Sequence, residues 1–234
     1  MKRNLIYHVY PLKNSTWQWG ISKLLQYRSA FNNKVILTVA TDANTESLET
    51  VSSFFDFPGK EVVTVVNDPK KGESKAMALS LPLVKTNDPD EITFYAHSKG
   101  VSKIKKEARF KSQVQMWAEA MFFMNLNRLD LIESLIKDYD AIGILKQIKN
   151  HAGAPWHFSG TFFWFRSSAI ADKDWTVAQE YYGSEGWIGK RVPADRAFSL
   201  FDTTRNLYDY VLKEEEYRRS LEKILKERGL PSLG

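Results

Sequence analysis

Apolar residues along this chain fall into short β-branched and aromatic runs, each closing on a polar cluster, with stretches of helical periodicity between them. The runs at 5–10, 35–40, 62–66 and 92–96 have the length and the Val, Ile, Tyr and Phe content of buried strands. Apolar positions within 15–28, 46–55 and 73–84 recur at three- and four-residue steps, which predicts helices packed on a mainly parallel sheet. Ser15 is placed to cap the first helix and Asn44 or Thr45 the second, while Pro82 disturbs the third. A long helix is predicted over 113–138, with Met116, Trp117, Ala120, Phe123 and Met124 on its apolar face. A strand at 141–145 and a loop at 149–155 follow, then an aromatic strand over 156–165. Strict alternation there puts Trp156, Phe158, Gly160, Phe162 and Trp164 on one face and His157, Ser159, Thr161, Phe163 and Phe165 on the other. Residues 181–202, rich in Gly, Trp and Glu without a period, are predicted to be functional loops, and 206–228 a final helix.

The polar ends of the strands carry the chemistry. The second run ends at Asp42, the third at Asn67-Asp68, and the fourth at His97-Ser98-Lys99-Gly100. Ligands of open α/β sheets bind outside the carboxyl ends of the strands, so three polar ends predict one crevice.

Composition narrows the classes. A length of 234 residues, 43% of them apolar and 26% charged, fits one soluble globular domain with appendages. The net charge of +5 suits an anionic partner. Much of that excess is local, because Lys99, Lys103, Lys105, Lys106, Arg109 and Lys111 are opposed only by Glu107. The absence of cysteine removes disulfides, thiolate zinc sites and cysteine nucleophiles, and it fits a reducing, cytoplasmic compartment. No apolar run has the length of a signal peptide or a membrane span. No Gly-rich phosphate loop follows the first strand, where Asn14-Ser15-Thr16 stands instead, which disfavours dinucleotide oxidoreductases and NTPases. A Gly-x-Ser-x-Gly elbow and a His-Glu-x-x-His helix are also missing. Of the three Asp-x-Asp pairs, Asp88-Pro89-Asp90 and Asp138-Tyr139-Asp140 precede their strands and Asp172-Lys173-Asp174 lies beyond one. None stands where a metal would meet a diphosphate, so no metal ligand is assigned.

Five segments carry a resemblance: Tyr7-His8-Val9-Tyr10-Pro11, Thr41-Asp42, Asn67-Asp68-Pro69, the block from Phe94 through His97-Ser98-Lys99-Gly100 to Val101, and Trp156-His157-Phe158-Ser159-Gly160-Thr161-Phe162-Phe163-Trp164. Together they resemble a family of glycosyltransferase-like proteins of bacteria and phages with a GT-A type nucleotide-sugar fold. The resemblance spans the chain to about Phe201 and leaves out the last helix. It implies a Rossmann-type three-layer α/β/α domain over 1–205, with a mostly parallel mixed sheet, and a C-terminal helical extension over 206–234.

The resemblance also implies roles. His97-Ser98-Lys99 takes the place of the metal-binding Asp-x-Asp of better-known GT-A enzymes, so Lys99 would neutralise the leaving diphosphate as a fixed cation. His97 would bind phosphate or a metal, and whether a divalent cation takes part stays open. His8, Ser98 and Gly100 belong to the same donor-binding set, and Asp42 with Asn67 or Asp68 would face the base and ribose of a UDP- or GDP-type donor. Inverting transfer needs a carboxylate base near the acceptor hydroxyl, for which Glu185 is the first candidate and Asp195 the second. Trp156 and Trp187 would stack on sugar faces, while His157, Ser159 and Gly160 would meet donor or acceptor hydroxyls. The partners are then a nucleotide-sugar and a glycan or other acceptor.

Two other classes compete. A carbohydrate- or nucleotide-sugar-binding protein would keep the fold without turnover. A nucleic-acid-binding module would use Lys103 to Lys111 as a phosphate track, but that stretch has no interleaved aromatics and no known motif.

Overall fold

A computed structural model of the chain describes residues 1–101, 108–149, 153–207 and 209–233, with side chains from 112 onward in the helix that spans 111. The β-branched runs form β1 (Lys2–Val9), β2 (Val35–Thr41), β3 (Glu61–Val66) and β4 (Glu91–His97). Between them lie α1 (Trp17–Gln26), α2 (Leu48–Phe54) and α3 (Ser74–Ser80), the last running into a 3-10 turn at Leu81–Val84, where Pro82 cannot continue the ladder. Next come α4 (Ala108–Leu126), α5 (Leu129–Leu135), β5 (Ala141–Gly143), β6 (Lys146–Gln147), β7 (His157–Phe158) and β8 (Phe163–Arg166). The chain closes with α6 (Gly183–Trp187), β9 (Ala197–Ser199) and α7 (Glu214–Glu227).

Among the described residues seven strands make one mixed sheet in the order β3-β2-β1-β4-β8-β5-β9, parallel except for β8, while β6 and β7 pair apart from it. The chain winds outward through β1, β2 and β3 and then returns to place β4 on the other flank of β1. Strand order therefore reverses between β1 and β4, the position at which a crevice opens at the carboxyl edge of an open α/β sheet. His8 and His97 are register partners there.

Period-2 alternation sorts the strands between two cores. Leu5, Tyr7 and Val9 of β1, with Phe94 and Ala96 of β4, enter a core shared with α1, α4, α5 and α7. Ile6 and Tyr95 enter the other, closed by Met77 of α3 and Trp187 of α6. The domain is thus three-layered, α/β/α, and each large apolar side chain so buried contributes about 1.5–3 kcal/mol. The same alternation sends His8 and His97 to the side of α3 and α6. Residues Tyr217, Leu221 and Leu225 of α7 are buried in the first core, where Tyr217 packs on Phe123 with ring centroids 5.4 Å apart. No helix among the described residues is long and apolar enough to cross a membrane.

Several local expectations are corrected. The aromatic strand over 156–165 is two short strands, because Gly160 (φ 95°) and Thr161 (φ 62°) turn in the left-handed region. That turn shifts the alternation by one residue: Trp156 and Phe158 share the second core with Phe163 and Phe165, and Phe162 and Trp164 go to the first. The helix at 113–138 breaks at Arg128, whose backbone leaves the helical region (φ −135°, ψ 81°). Ser47, not Asn44 or Thr45, caps α2 by accepting from the Thr50 amide. No side-chain hydrogen bond caps α1. Residues 181–202 are not loops throughout, since they contain α6, β9 and buried Trp187, Ile188 and Val192. The final helix starts at Glu214, eight positions after 206, where the Glu216 carboxylate accepts from the Lys213 amide at 3.1 Å. The basic run from Lys103 to Glu107 lies outside the described residues, as do the side chains of Arg109 and Lys111.

Candidate functional site

A cavity of about 470 Å³ opens at the carboxyl edge, lined by His8 and Tyr10 after β1, Asn67 after β3, Glu73, His97 to Val101 after β4, Trp117, Thr161, the Tyr181-Tyr182 pair, Ser184 and Glu185. This size is ordinary for a small-molecule site.

One flank is built from the ends of β1, β2 and β3. Asp42 Oδ2 accepts from the Tyr10 hydroxyl at 2.7 Å and from Asn67 Nδ2 at 2.8 Å, and Asp42 Oδ1 accepts from the Asn44 amide at 2.8 Å. Burial pushes the Asp42 carboxyl up, but these three donors outweigh it and the pKa is lowered. Burial and then the Asp42 charge push the Tyr10 phenol up to about 12, so it stays a donor. Asn67 rather than Asp68 lines the cavity: Asp68 Oδ1 accepts from the Lys70 amide at 3.0 Å and holds the turn before α3. That is a correction to the choice between them.

The other flank is buried and charged. His97 Nδ1 lies 2.9 Å from Glu73 Oε2, and its Nε2 donates to the Gly160 carbonyl at 2.9 Å. Glu73 Oε1 accepts from the Ser184 hydroxyl at 2.8 Å. Burial opposes the charged form of Glu73, yet the His97 contact, His8 and Ser184 together hold the carboxyl down to about 2. His8, 6% exposed, is pushed down to about 4 by burial, with Glu73 pulling the other way and His97 adding to the fall, so it is neutral at physiological pH. Its Nδ1 lies 3.3 Å from Thr38 Oγ1.

Glu185 stands at the mouth of this flank, where its Oε1 accepts from the Gly160 amide at 2.9 Å. The Gly160-Thr161 turn is strained, because Thr161 is β-branched, buried and at positive φ, a state that costs on the order of 1–3 kcal/mol. Strain of this kind persists only where neighbours over-determine it.

Lys99 Nζ sits over the Trp117 ring, 4.0 Å from its centroid, and faces the α-carbon of Gly160. An ammonium over an indole face is attracted by the negative face of the ring. Gly100 (φ 79°) lets the chain turn here, and a Cβ on it would meet Val114 Cγ1 at 2.4 Å. The Ser98 hydroxyl accepts from the Tyr10 amide at 3.0 Å, and the Ser98 amide donates to the His8 carbonyl at 2.8 Å, tying the ends of β1 and β4 together.

Asp42, Asp68 and Gly160 adjoin lining residues without lining the cavity, and five further sequence candidates lie apart from it. Trp156 and Trp187 are at most 1% exposed, donate their indole N–H groups to Val192 and Trp175 carbonyls, and present no face to a sugar. His157 is buried in the β6–β7 pair, and Ser159 beside it hydrogen-bonds through its amide to the Leu145 carbonyl. Asp195 lines a separate recess with Lys146, Ser199 and Asp202. Each was drawn in by an alternation or a loop assignment that the 160–161 turn and α6 overturn. In the other direction, Tyr10, Glu73, Trp117 and Ser184 escaped sequence reading. Glu73 follows the Asn67-Asp68-Pro69 strand end by one turn, so the strand-end rule extended by five residues would have found it.

A GT-A fold commonly implies a divalent cation, and the donor set at the end of β4 does not fit one. Both His97 nitrogens face protein acceptors, the Ser98 hydroxyl serves Tyr10, and Lys99 is a cation. Among the described residues no three His, Asp or Glu side chains stand together as a metal group.

No protein-family model matches the chain, and no curated protein matches it. Among solved structures it is similar to S. aureus TarS 1-349 in complex with UDP, at 12% identity and a TM-score of 0.47, over 97% of this chain and 72% of that one. It is also similar to glucosyl-3-phosphoglycerate synthase from Mycobacterium tuberculosis in complex with Mn2+, UDP-glucose and phosphoglyceric acid, at 12% identity and 0.46, over 100% and 82% of the two chains. A third likeness is to HddC from Yersinia pseudotuberculosis, at 12% identity and 0.40, over 95% and 99%.

Proposed function

We propose that the protein is a GT-A type glycosyltransferase that moves a sugar from a nucleotide-sugar donor to a hydroxyl of an acceptor. The observation that supports this best is the crevice at the β1/β4 reversal, where Tyr10 and Asn67, both bonded to Asp42, line one side and Lys99, His97 and Glu185 the other. Asp42 and Asn67 would hold the base and ribose, as their hydrogen-bonding groups stand at strand ends where a nucleotide lies. Lys99 would neutralise the diphosphate as it leaves, a cation that needs no reorganisation at the moment of bond cleavage. His97 stands beside it with Nε2 bonded to the Gly160 carbonyl and Nδ1 2.9 Å from the Glu73 carboxylate. Glu185 is the base: it takes the proton of the acceptor hydroxyl, whose oxygen bonds to the anomeric carbon. The carbon–oxygen bond to the diphosphate breaks at the same time, its electron pair leaving with the nucleotide. A carboxylate in that role supports inversion. Residues 1–205 are read as the transferase domain and 206–234 as its helical extension.

Thermal unfolding against UDP, GDP, CDP and their sugars, each with and without manganese, tests the reading. A ligand at about a hundred times its dissociation constant stabilises by about 2.7 kcal/mol, a midpoint shift of roughly 2–4 °C at this size. Stabilisation by one nucleotide series, unchanged by manganese, together with release of the nucleotide diphosphate, is the expected result. Stabilisation without release moves the protein to the binding class, and no stabilisation by any of them removes the nucleotide-sugar reading.

A further inference from the structure

We infer that Glu73 is a positioning residue: with His97 it closes a ring of contacts that grips Gly160 at both main-chain groups and so fixes the Glu185 carboxylate. The inference rests on the glycosyltransferase reading only in the role it gives Glu185. From Ser184 the ring runs through the hydroxyl to Glu73 Oε1 (2.8 Å), from Glu73 Oε2 to His97 Nδ1 (2.9 Å), and from His97 Nε2 to the Gly160 carbonyl (2.9 Å). It returns from the Gly160 amide to Glu185 Oε1 (2.9 Å), and Glu185 follows Ser184 in the chain. A second tie closes the same gap, for the Ser184 amide donates to the Ser74 hydroxyl at 2.9 Å, which donates to the Glu180 carbonyl at 2.7 Å. The start of α3, the end of β4, the 160–161 turn and α6 are thus joined in one circuit.

The chemistry of the ring is determined by its acceptors. The Gly160 carbonyl can only accept, so His97 Nε2 carries the proton of that bond, and Nδ1 stands 2.9 Å from the Glu73 carboxylate. Other titratable groups near it are Lys99 from its own segment, His8 from β1, which is neutral, Tyr95 from β4 and Glu185 from α6. The turn that the ring holds needs a grip, since Gly160 and Thr161 are both left-handed. Removing the Glu73 charge releases His97, frees the Gly160 carbonyl and lets the turn relax, and the amide that orients Glu185 moves with it.

The test is amide hydrogen exchange of Gly160 in the full chain, measured by NMR for the wild type and Glu73→Gln, with turnover measured beside it. The expected result is at least tenfold faster exchange at Gly160 with the Val39 amide in the sheet centre unchanged, and a fall in kcat with the KM for the donor kept. Unchanged Gly160 exchange overturns the ring, and faster exchange with unchanged kcat overturns the positioning of Glu185. If Glu73→Gln does not fold, Ser184→Ala removes one link only and should speed Gly160 exchange at least threefold, while no change overturns the inference. Should the wild type turn over no donor, the glycosyltransferase reading fails by itself and the exchange measurement still decides whether the ring exists.

Discussion

The two flanks of the crevice solve the same problem, holding a carboxylate beside the cavity, in opposite ways. Asp42 is half-exposed and sits among neutral donors from adjacent strands, Tyr10 and Asn67, at most 32 positions away in the chain. Glu73 is buried against the imidazole of His97 and bonded to Ser184, 111 positions away. The first arrangement suits a group that trades hydrogen bonds with an incoming ligand, because neutral donors in partial contact with water re-pair at little cost. The second is suited to holding geometry, since a buried carboxylate is costly to separate from the groups that partner it. The difference teaches that binding and positioning are separated in this crevice by burial rather than by residue type.

That contrast can be broken from either side, and the largest effect is expected at the mouth of the buried flank. Glu185→Gln should lower turnover by about 10²–10⁴-fold while leaving nucleotide-sugar binding in place, as removal of a general base does. Kinetics beside a thermal-shift titration check it, and an unchanged kcat would remove Glu185 from the chemistry. Lys99→Ala should cost about 10²–10³-fold in kcat, the scale for losing one preorganised electrostatic group, with circular dichroism showing the fold retained.

Acid titration sharpens the comparison through stability. His8 is held down to about 4 by burial, so the neutral form's contribution is full above pH 6.5 and is lost as pH falls from there through about 4. Glu73, held at about 2 by His97, His8 and Ser184 against the cost of its burial, contributes above pH 4.5 and loses that contribution as pH falls through about 2. Each is worth on the order of 3 kcal/mol, so denaturant midpoints should fall on acidification in two stages. His8→Gln should flatten the upper stage and Glu73→Gln the lower, and a wild-type midpoint constant from pH 7 to 4 would contradict the burial of a neutral His8. The smallest effect belongs to the open flank. Asp42→Asn should weaken nucleotide binding by about tenfold, roughly 1.4 kcal/mol, with little change in unfolding midpoint. Isothermal titration checks the affinity, and a large loss of stability would show Asp42 to be structural instead.

The sheet was legible in the sequence because a buried strand writes itself into consecutive residues. Runs such as 35–40 and 92–96 carry their burial in their own composition, and alternation fixes which side chains share a face. Their polar ends, Asp42, Asn67 and His97 to Gly100, followed from the same rule, since strand ends of a parallel sheet share one edge. The site expectations that failed gather around the Gly160 turn and in 181–202. Two left-handed residues moved Trp156 and Phe158 to the other core and closed them off, and a β-branched Thr161 at positive φ gives no signal of itself in composition. Asp195 went astray because residues 181–202 look aperiodic in a row, although their packing partners lie elsewhere in the chain.

The sequence by itself determined the layers, the strand ends and the absence of thiol and metal-cluster motifs, all properties that neighbouring residues encode through local propensity and periodicity. Only the tertiary structure decided which carboxylates meet which bases. Glu73 with His97, and Glu185 with Gly160, are brought together by the return of β4 to the flank of β1 and by the packing of α6 beside α3. Contacts across such sequence distances are fixed by where the cores close, and no local pattern of residues carries that information.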